Sequence, residues 1–296
     1  MEIRQLKYFI TLVEEKSYTR AAQKLHLTQP SLSTSMKKLE NELNLILIDK
    51  EYRKFKLTDE GDILYYEAKK LLNHHEHISH EMRRLKDVGP PILSIGLIES
   101  SVFFIPNILK KLKEKQPNMK ISLYEKLSHD DVKLSLKNYE IDLAINNQFI
   151  QNESIKSLPI YKENLIVMVP KGHELEQKRK LSIYDLEGKD FIVCKEGLQT
   201  RNDIVDAFHK AGVFLNISFE IDRFETACKL VENGLGITII PGNYIRNSKK
   251  FPDVSLLHLH NPEIKRTVYL AYDKNRYFPP IIKWFITTLK EFFVKY

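Results

Sequence analysis

Between residues 28 and 38 the sequence reads "TQPSLSTSMKK". Leu32, Met36, Leu39 and Leu43 repeat at helical spacing, so a helix through them buries one stripe. Gln29, Ser31, Ser33, Thr34, Lys37 and Lys38 are left on the outer face. A glutamine carboxamide can pair with an adenine edge, and short hydroxyls reach bases or phosphates. Lysines one turn further along suit backbone phosphates, which supply affinity without sequence information. Thr28 stands where an N-cap belongs, and Pro30 falls in the first turn, where its missing N–H costs nothing. Taken alone, the same residues also fit a small helical core with a solvated polar face.

Placing that face outward requires helices beneath it. Leu6, Phe9, Ile10 and Val13 define one face of a first helix. Thr19 is positioned to cap a second helix through Leu25, and Ala21 and Ala22 are small enough for another helix to cross closely. His26 and Leu27 make the turn into the third helix, which runs to about Leu43. After it, "LILIDKEYRKFKLTDEG" reads as two short β runs around a basic turn carrying Lys50, Arg53, Lys54 and Lys56. Three short helices and a basic wing describe a winged helix-turn-helix, whose third helix enters a major groove. The expected contacts are Thr28, Gln29, Pro30, Ser31, Ser33, Thr34, Lys37, Lys38, Arg53 and Lys54.

From Thr58 a proline-free stretch continues through Leu85. Leu64, Ala68, Leu71, His75, Ile78, Met82 and Leu85 alternate spacings of four and three, the heptad seam by which two helices pair. A homodimer is expected, or a tetramer built from it, with an inverted-repeat DNA site to match the two-fold symmetry. His74, His75, His77 and His80 lie close enough to invite a metal reading, but no cysteine is near and no metal site is expected. His75, inside the seam, would make packing sensitive to pH.

"DVGPP" at 87–91 ends the helix, and beyond it strands and helices alternate as in an α/β fold with a largely parallel sheet. "ILSIGLI", "KISLYEK", "IDLAIN", "ENLIVMVPKGHEL", "DFIVCK", "ISFEI" and "GITIIP" read as strands, and "RTVYLAYDKN" with the helix from Pro280 returns to a first subdomain. Two subdomains joined by crossing strands leave a cleft for a small ligand. Glu99, Ser100 and Ser101 follow the first strand and offer N–H and hydroxyl groups to an anion. Thr200 opens a later helix, with Asp203 in a capping-box arrangement and Gly212 closing it; its hydroxyl serves either that cap or a ligand. "GLG" at 234–236 lies between a helix and a strand, the reverse of a dinucleotide fingerprint, and Gly234 reads as a helix C-cap.

The whole chain, 296 residues with a net charge of +7 and a pI near 9.1, has the length for several domains and leans toward an anionic partner. Its N-terminal apolar run is too short for a signal peptide or membrane anchor, and Cys194 and Cys228 lack metal or disulfide spacing, so a cytoplasmic protein is expected with no membrane partner. No GxSxG, HExxH or P-loop pattern supports an enzyme.

The order "LKYFITLVEEKSYTRAAQKLHLTQPSLSTSMKKLENELN", then the wing, then "LTDEG", resembles the N-terminal winged helix of LysR-type transcriptional regulators. Asn44 stands where that family usually has glycine, Ile48 and Lys50 where it has Phe and Arg, and Thr34 replaces a frequent arginine. "GLIESSVFFIPNIL", "ENLIVMVPKGHEL" and "LVENGLGITIIP" resemble the family's effector domain, which is similar to periplasmic solute-binding proteins. The resemblance implies a multidomain α/β chain. Residues 1–58 would form the winged helix-turn-helix and 59–91 the linker helix and hinge. Residues 92–296 would form the effector domain, with subdomain I at 92–161 and 268–296 and subdomain II at 162–267. It implies an effector site lined by Ser100, Ser101, Asn146, Thr200, Phe224 and Thr226, with no cofactor. The function implied is a DNA-binding regulator, with double-stranded DNA, a small metabolite suited to two helix N-termini such as a carboxylate, and RNA polymerase as partners. The alternatives are a constitutive DNA-binding protein with a vestigial pocket, and an enzyme using the α/β portion.

Overall fold

The computed structural model describes residues 1–49, 55–86, 90–150, 153–245, 251–261 and 264–294. The chain divides into two compact units, residues 1–91 with 137–140 and residues 92–136 with 141–296.

In the first unit, α1 (Ile3–Glu15), α2 (Tyr18–Lys24) and α3 (Gln29–Leu43) enclose a core of Phe9, Leu12, Ala21, Ala22, Leu32, Met36 and Leu39. Helix α2 is capped by Ser17 rather than Thr19: the Ser17 hydroxyl accepts the Arg20 N–H, and Thr19 falls inside the first turn. Thr28 caps α3 as its position predicts, and Asn44 ends the helix in the left-handed region at φ 53°, the conformation asparagine tolerates in place of glycine. The pair β1 (Ile48–Asp49) and β2 (Lys56–Leu57) is antiparallel and forms the base of the wing. The buried Glu40 carboxylate accepts the N–H groups of Leu47 and Ile48 at 3.0 and 3.4 Å, fastening that base to α3.

Helix α4 (Asp59–Leu85) starts where "LTDEG" demands. The Thr58 hydroxyl accepts the Gly61 N–H at 3.0 Å and donates to the Ile46 carbonyl at 2.7 Å. A Cβ on residue 61 would lie 2.1 Å from the Leu47 carbonyl oxygen, so only glycine lets the helix start lie against that backbone. Further along α4, Asn73 donates to the Asn138 carbonyl at 2.8 Å and His74 stacks on Tyr139.

The second unit contains, in chain order, β3 (Ile92–Leu97), α5 (Ile105–Lys115), β4 (Lys120–Glu125), α6 (His129–Lys137) and β5 (Leu143–Asn146). There follow β6 (Ile155–Pro170), β7 (Leu181–Ser182), β8 (Asp190–Cys194), α7 (Gln199–Ala211), β9 (Asn216–Ile221) and α8 (Phe224–Glu232). Strands β10 (Ile237–Pro241), β11 (Val254–Leu257), β12 (Leu259–Asn261) and β13 (Lys265–Asp273), then α9 (Pro280–Val294), complete it.

Its strands run in the order β4-β3-β5-β13-β6-β10-β8-β9. Both ends are parallel, but the middle is antiparallel, because β6 is long enough to serve two subdomains. Its first half pairs with β13, from Ile155 opposite Asp273 to Asn164 opposite Lys265, and its second half pairs with β10 and β11. Subdomain I packs α5 and α9 over Leu93, Ile95, Leu143 and Val268, with Phe285 of α9 in the same core. Subdomain II has a core on each face of its sheet, one beneath α7 with Ile204 and Phe208 and one beneath α8 with Ala227 and Val231.

Candidate functional site

The recognition face forms as the stripe predicts. Leu32, Met36 and Leu39 are buried, while Thr28, Gln29, Pro30, Ser31, Thr34, Lys37 and Lys38 are exposed and Ser33 is half-buried. The Thr28 hydroxyl accepts the Ser31 N–H at 3.3 Å and lies 2.8 Å from the Ser31 hydroxyl, so these two groups also serve the cap. Gln29 carries the longest amide on this face. Lys38 sits 3.9 Å from Glu42, a loose solvent-exposed pair. Arg53 and Lys54 lie outside the described residues.

Helix α4 divides the seam in two. Ala68 is buried and Leu64 half-buried against Leu6 and Ile10 of α1, so these positions belong to the core of their own unit. Leu71, Ile78, Met82 and Leu85 are 45–65% exposed, and His75 is exposed beside them. An apolar row on one helix face, uncovered by its own chain, suits a second copy of the same helix.

The cleft of the second unit centres on an ion pair that the sequence reading did not find. Glu163 of β6 and Arg266 of β13 are register partners on the crossing strands, and their side chains are 1% and 4% exposed. Arg266 Nε donates to Glu163 Oε1 at 2.7 Å, one terminal nitrogen to the Thr200 hydroxyl at 2.7 Å, and the other to the Ser100 hydroxyl at 3.2 Å. Ser100 donates in turn to Glu163 Oε1 at 3.1 Å, and Asn243 to Glu163 Oε2 at 3.2 Å. Ser100 belongs to a 3-10 turn (Glu99–Phe103) placed between β3 and α5, and Thr200 to the first turn of α7. One guanidinium therefore joins the two walls.

Other contacts also cross the cleft. The Gln148 side-chain amide donates to Gln199 Oε1 at 3.1 Å, Ser128 and Leu198 form a backbone bridge, and Arg223 pairs with Glu125. Glu99 accepts the Phe224 N–H at 3.1 Å, filling the N-terminus of α8. Burial pushes the Glu99 carboxyl up to about 7, with the Phe224 N–H and Arg223 opposing the shift. What remains open beside Arg266 is a cavity of about 20 Å³, bordered by Glu99, Cys194, Gln199, Thr200 and Phe224. That is room for about one water molecule. A larger hollow of about 490 Å³ shares Ile98 and Glu99 with it and extends to Val102, Tyr124, Arg223 and Tyr244.

Several expectations for this cleft change. Thr200 is not a cap: the N-cap of α7 is Leu198, two residues earlier, and the Thr200 hydroxyl receives Arg266. Asp203 accepts from the Gln199 side chain at 2.8 Å instead of completing a capping box. Ser101 is buried, with its hydroxyl donated to the Ile98 carbonyl at 2.6 Å, so it holds its own turn. Asn146 is buried and accepts the Gln148 N–H; its amide nitrogen has no partner among the described residues. Phe224 borders the small cavity, whereas Thr226 is exposed on α8 and borders neither cavity. Glu163 and Arg266 each leave a sequence signal, a charge beside an apolar strand, but only the crossing-strand register brings them together.

An exposed helix-turn-helix face and a two-walled α/β cleft define a DNA-binding regulator that responds to a small effector. Residues 3–62 match the bacterial regulatory helix-turn-helix model of the lysR family, and residues 90–294 match the LysR substrate binding domain. The chain belongs to the LysR family of transcriptional regulators. It is 31% identical over 292 residues to the hydrogen peroxide-inducible genes activator of Haemophilus influenzae, with 94% of each chain covered. It is 28% identical to the HTH-type regulator YybE of Bacillus subtilis, covering 96% of this chain and 97% of that one. The crystal structure of full-length CbnR with its target DNA shares the fold, with a TM-score of 0.79, 21% identity, and coverage of 98% and 99%. No helix among the described residues is long and apolar enough to cross a membrane.

Proposed function

We propose that the chain acts as a homodimer, or a tetramer built from two dimers, which reads an inverted-repeat operator with α3 and takes a small carboxylate effector into the cleft. The observation that carries this reading is the convergence of Ser100 and Thr200, from opposite walls, on a single cationic group beside a cavity. A ligand that prefers one spacing of those walls shifts the subdomain equilibrium by its differential affinity, and the shift reaches DNA through the oligomer. The exposed half of the α4 seam supports pairing, and two-fold pairing calls for a two-fold operator. The cytoplasm is the compartment where such a protein meets DNA, RNA polymerase is the partner it would recruit or block, and no enzymatic turnover is proposed.

A peroxide response like that named for the Haemophilus relative is not part of this reading. Peroxide reacts with an accessible thiolate. Cys194 and Cys228 are both buried, and burial pushes the Cys194 thiol up to about 12. DNase footprinting on the upstream intergenic region, with and without pooled cytosolic metabolites and with peroxide as a separate arm, tests the reading. Protection of an inverted repeat that changes with metabolites is expected. A footprint changed by peroxide alone and lost in Cys194→Ser would replace the metabolite by a redox signal.

A further inference from the structure

The effector-site residues expected from the sequence, Ser100 and Thr200, are already engaged, and the group engaging them is part of the chain itself. Arg266 is 7% exposed and borders the small cavity, yet only three of its five guanidinium N–H groups are committed to Glu163, Thr200 and Ser100. The first turn of α7, at Gln199 and Thr200, borders the same cavity and adds the positive end of that helix, whereas the start of α8 at Phe224 is already taken by Glu99. A buried guanidinium with spare donors, beside the N-terminus of α7, is a receptor for a planar oxyanion. Glu163 supplies that oxyanion from within the chain.

We propose that Arg266 is the residue that recognises the effector's carboxylate, and that Glu163 holds its place in the ligand-free cleft. This rests on the cleft being the effector site. The cavity beside Arg266 has room for about one water molecule. A ligand must therefore part the walls, and parting them breaks the Arg266 bond to Thr200 or the one to Ser100. The incoming carboxylate replaces the lost acceptor on the freed N–H groups and keeps the guanidinium satisfied in the widened state. An uncharged isostere of the same shape offers a weaker acceptor, so the exchange discriminates acids from amides.

The test uses the full chain and isothermal calorimetry with acetate, butyrate and phenylacetate, each beside its primary amide. Because Arg266→Gln alone leaves Glu163 buried without its counter-ion, the informative variants are Glu163→Gln and the double variant Arg266→Gln with Glu163→Gln. The wild type is expected to bind at least one acid about tenfold more tightly than its amide. Glu163→Gln, with the competing carboxylate neutralised, is expected to bind that acid more tightly still, and the double variant to lose the preference for acid over amide. A panel in which no acid outperforms its amide overturns the proposal, as does a double variant that retains the acid preference. Amide hydrogen exchange separates this failure from failure of the cleft reading. A bound acid that protects residues 98–104 and 198–204 but ignores the double substitution removes Arg266 alone; one that protects neither segment removes the cleft as well.

Discussion

The recognition face of α3 and the centre of the cleft both use hydroxyl, amide and charged side chains, and they hold them in opposite states. On α3 the polar groups stand in solvent and the apolar stripe beneath carries the packing. In the cleft, Ser100, Thr200, Glu163 and Arg266 are all buried and bonded to one another. A ligand meeting α3 displaces water and counterions, whereas a ligand entering the cleft displaces parts of the protein. Substitutions on α3 should therefore change binding without changing stability, and substitutions in the cleft should change both.

The largest expected effect tests the cleft side of that contrast. Arg266→Met leaves a buried carboxylate unpaired and is expected to cost about 3–5 kcal/mol of effector-domain stability, read by urea denaturation. Adding Glu163→Gln should restore most of it. A small loss in the single variant would mean that water reaches the pair.

Leu71→Glu is next, because it places a charge in the uncovered half of the α4 seam. Sedimentation should show protomers in place of dimers, and operator affinity should fall by about a hundredfold as the two half-sites cease to be bound together. An unchanged sedimentation mass would remove the seam.

On α3, Gln29→Ala is expected to cost about 1–3 kcal/mol of discrimination between operator and random DNA. Lys37→Ala should weaken both DNAs alike and lower the slope of log affinity against log salt by about 1. Neither should change the unfolding free energy by more than about 0.5 kcal/mol, as expected for surface positions. Equal loss of discrimination in both variants would erase the division between base and phosphate contacts.

The smallest effect belongs to Glu99. Its folded carboxyl is raised from 4.5 to about 7, so the protein binds that proton more tightly when folded. The resulting stability is fully present below about pH 4.5 and is lost as pH rises through about 7. Between pH 5 and 8 the wild type should lose on the order of 1 kcal/mol relative to Glu99→Gln, a figure discounted for partial exposure. Parallel pH profiles would show that Glu99 is solvated like an ordinary glutamate.

The same contrast explains what the sequence made legible. The stripe on α3 and the Thr28 cap are set by residues within a few positions of one another, so spacing alone predicts them, while the Asn44 turn is legible only through the glycine of the family pattern. Thr58 and Gly61 were readable as a motif, but their reason, the Leu47 carbonyl beneath Gly61, required the fold. In the cleft, Arg266 lies 166 residues from Ser100 and 103 from Glu163 in sequence, and no periodicity links such positions. Thr200 reads from the sequence as a residue near a helix start whose hydroxyl serves either a local cap or a ligand; the partner it has, Arg266, lies 66 residues away. Thr226, named through the family resemblance, is exposed on α8 two residues beyond Phe224, a spacing that does not share a helix face.

Binding of the purified chain to its own upstream intergenic DNA and to a scrambled duplex of equal length, each titrated across salt, tests the central claim most directly. The account predicts a preference of at least about a thousandfold for the upstream duplex, persisting while non-specific affinity falls steeply with salt. Equal affinity for both duplexes, with no sequence enriched in a selection from genomic fragments, would contradict it.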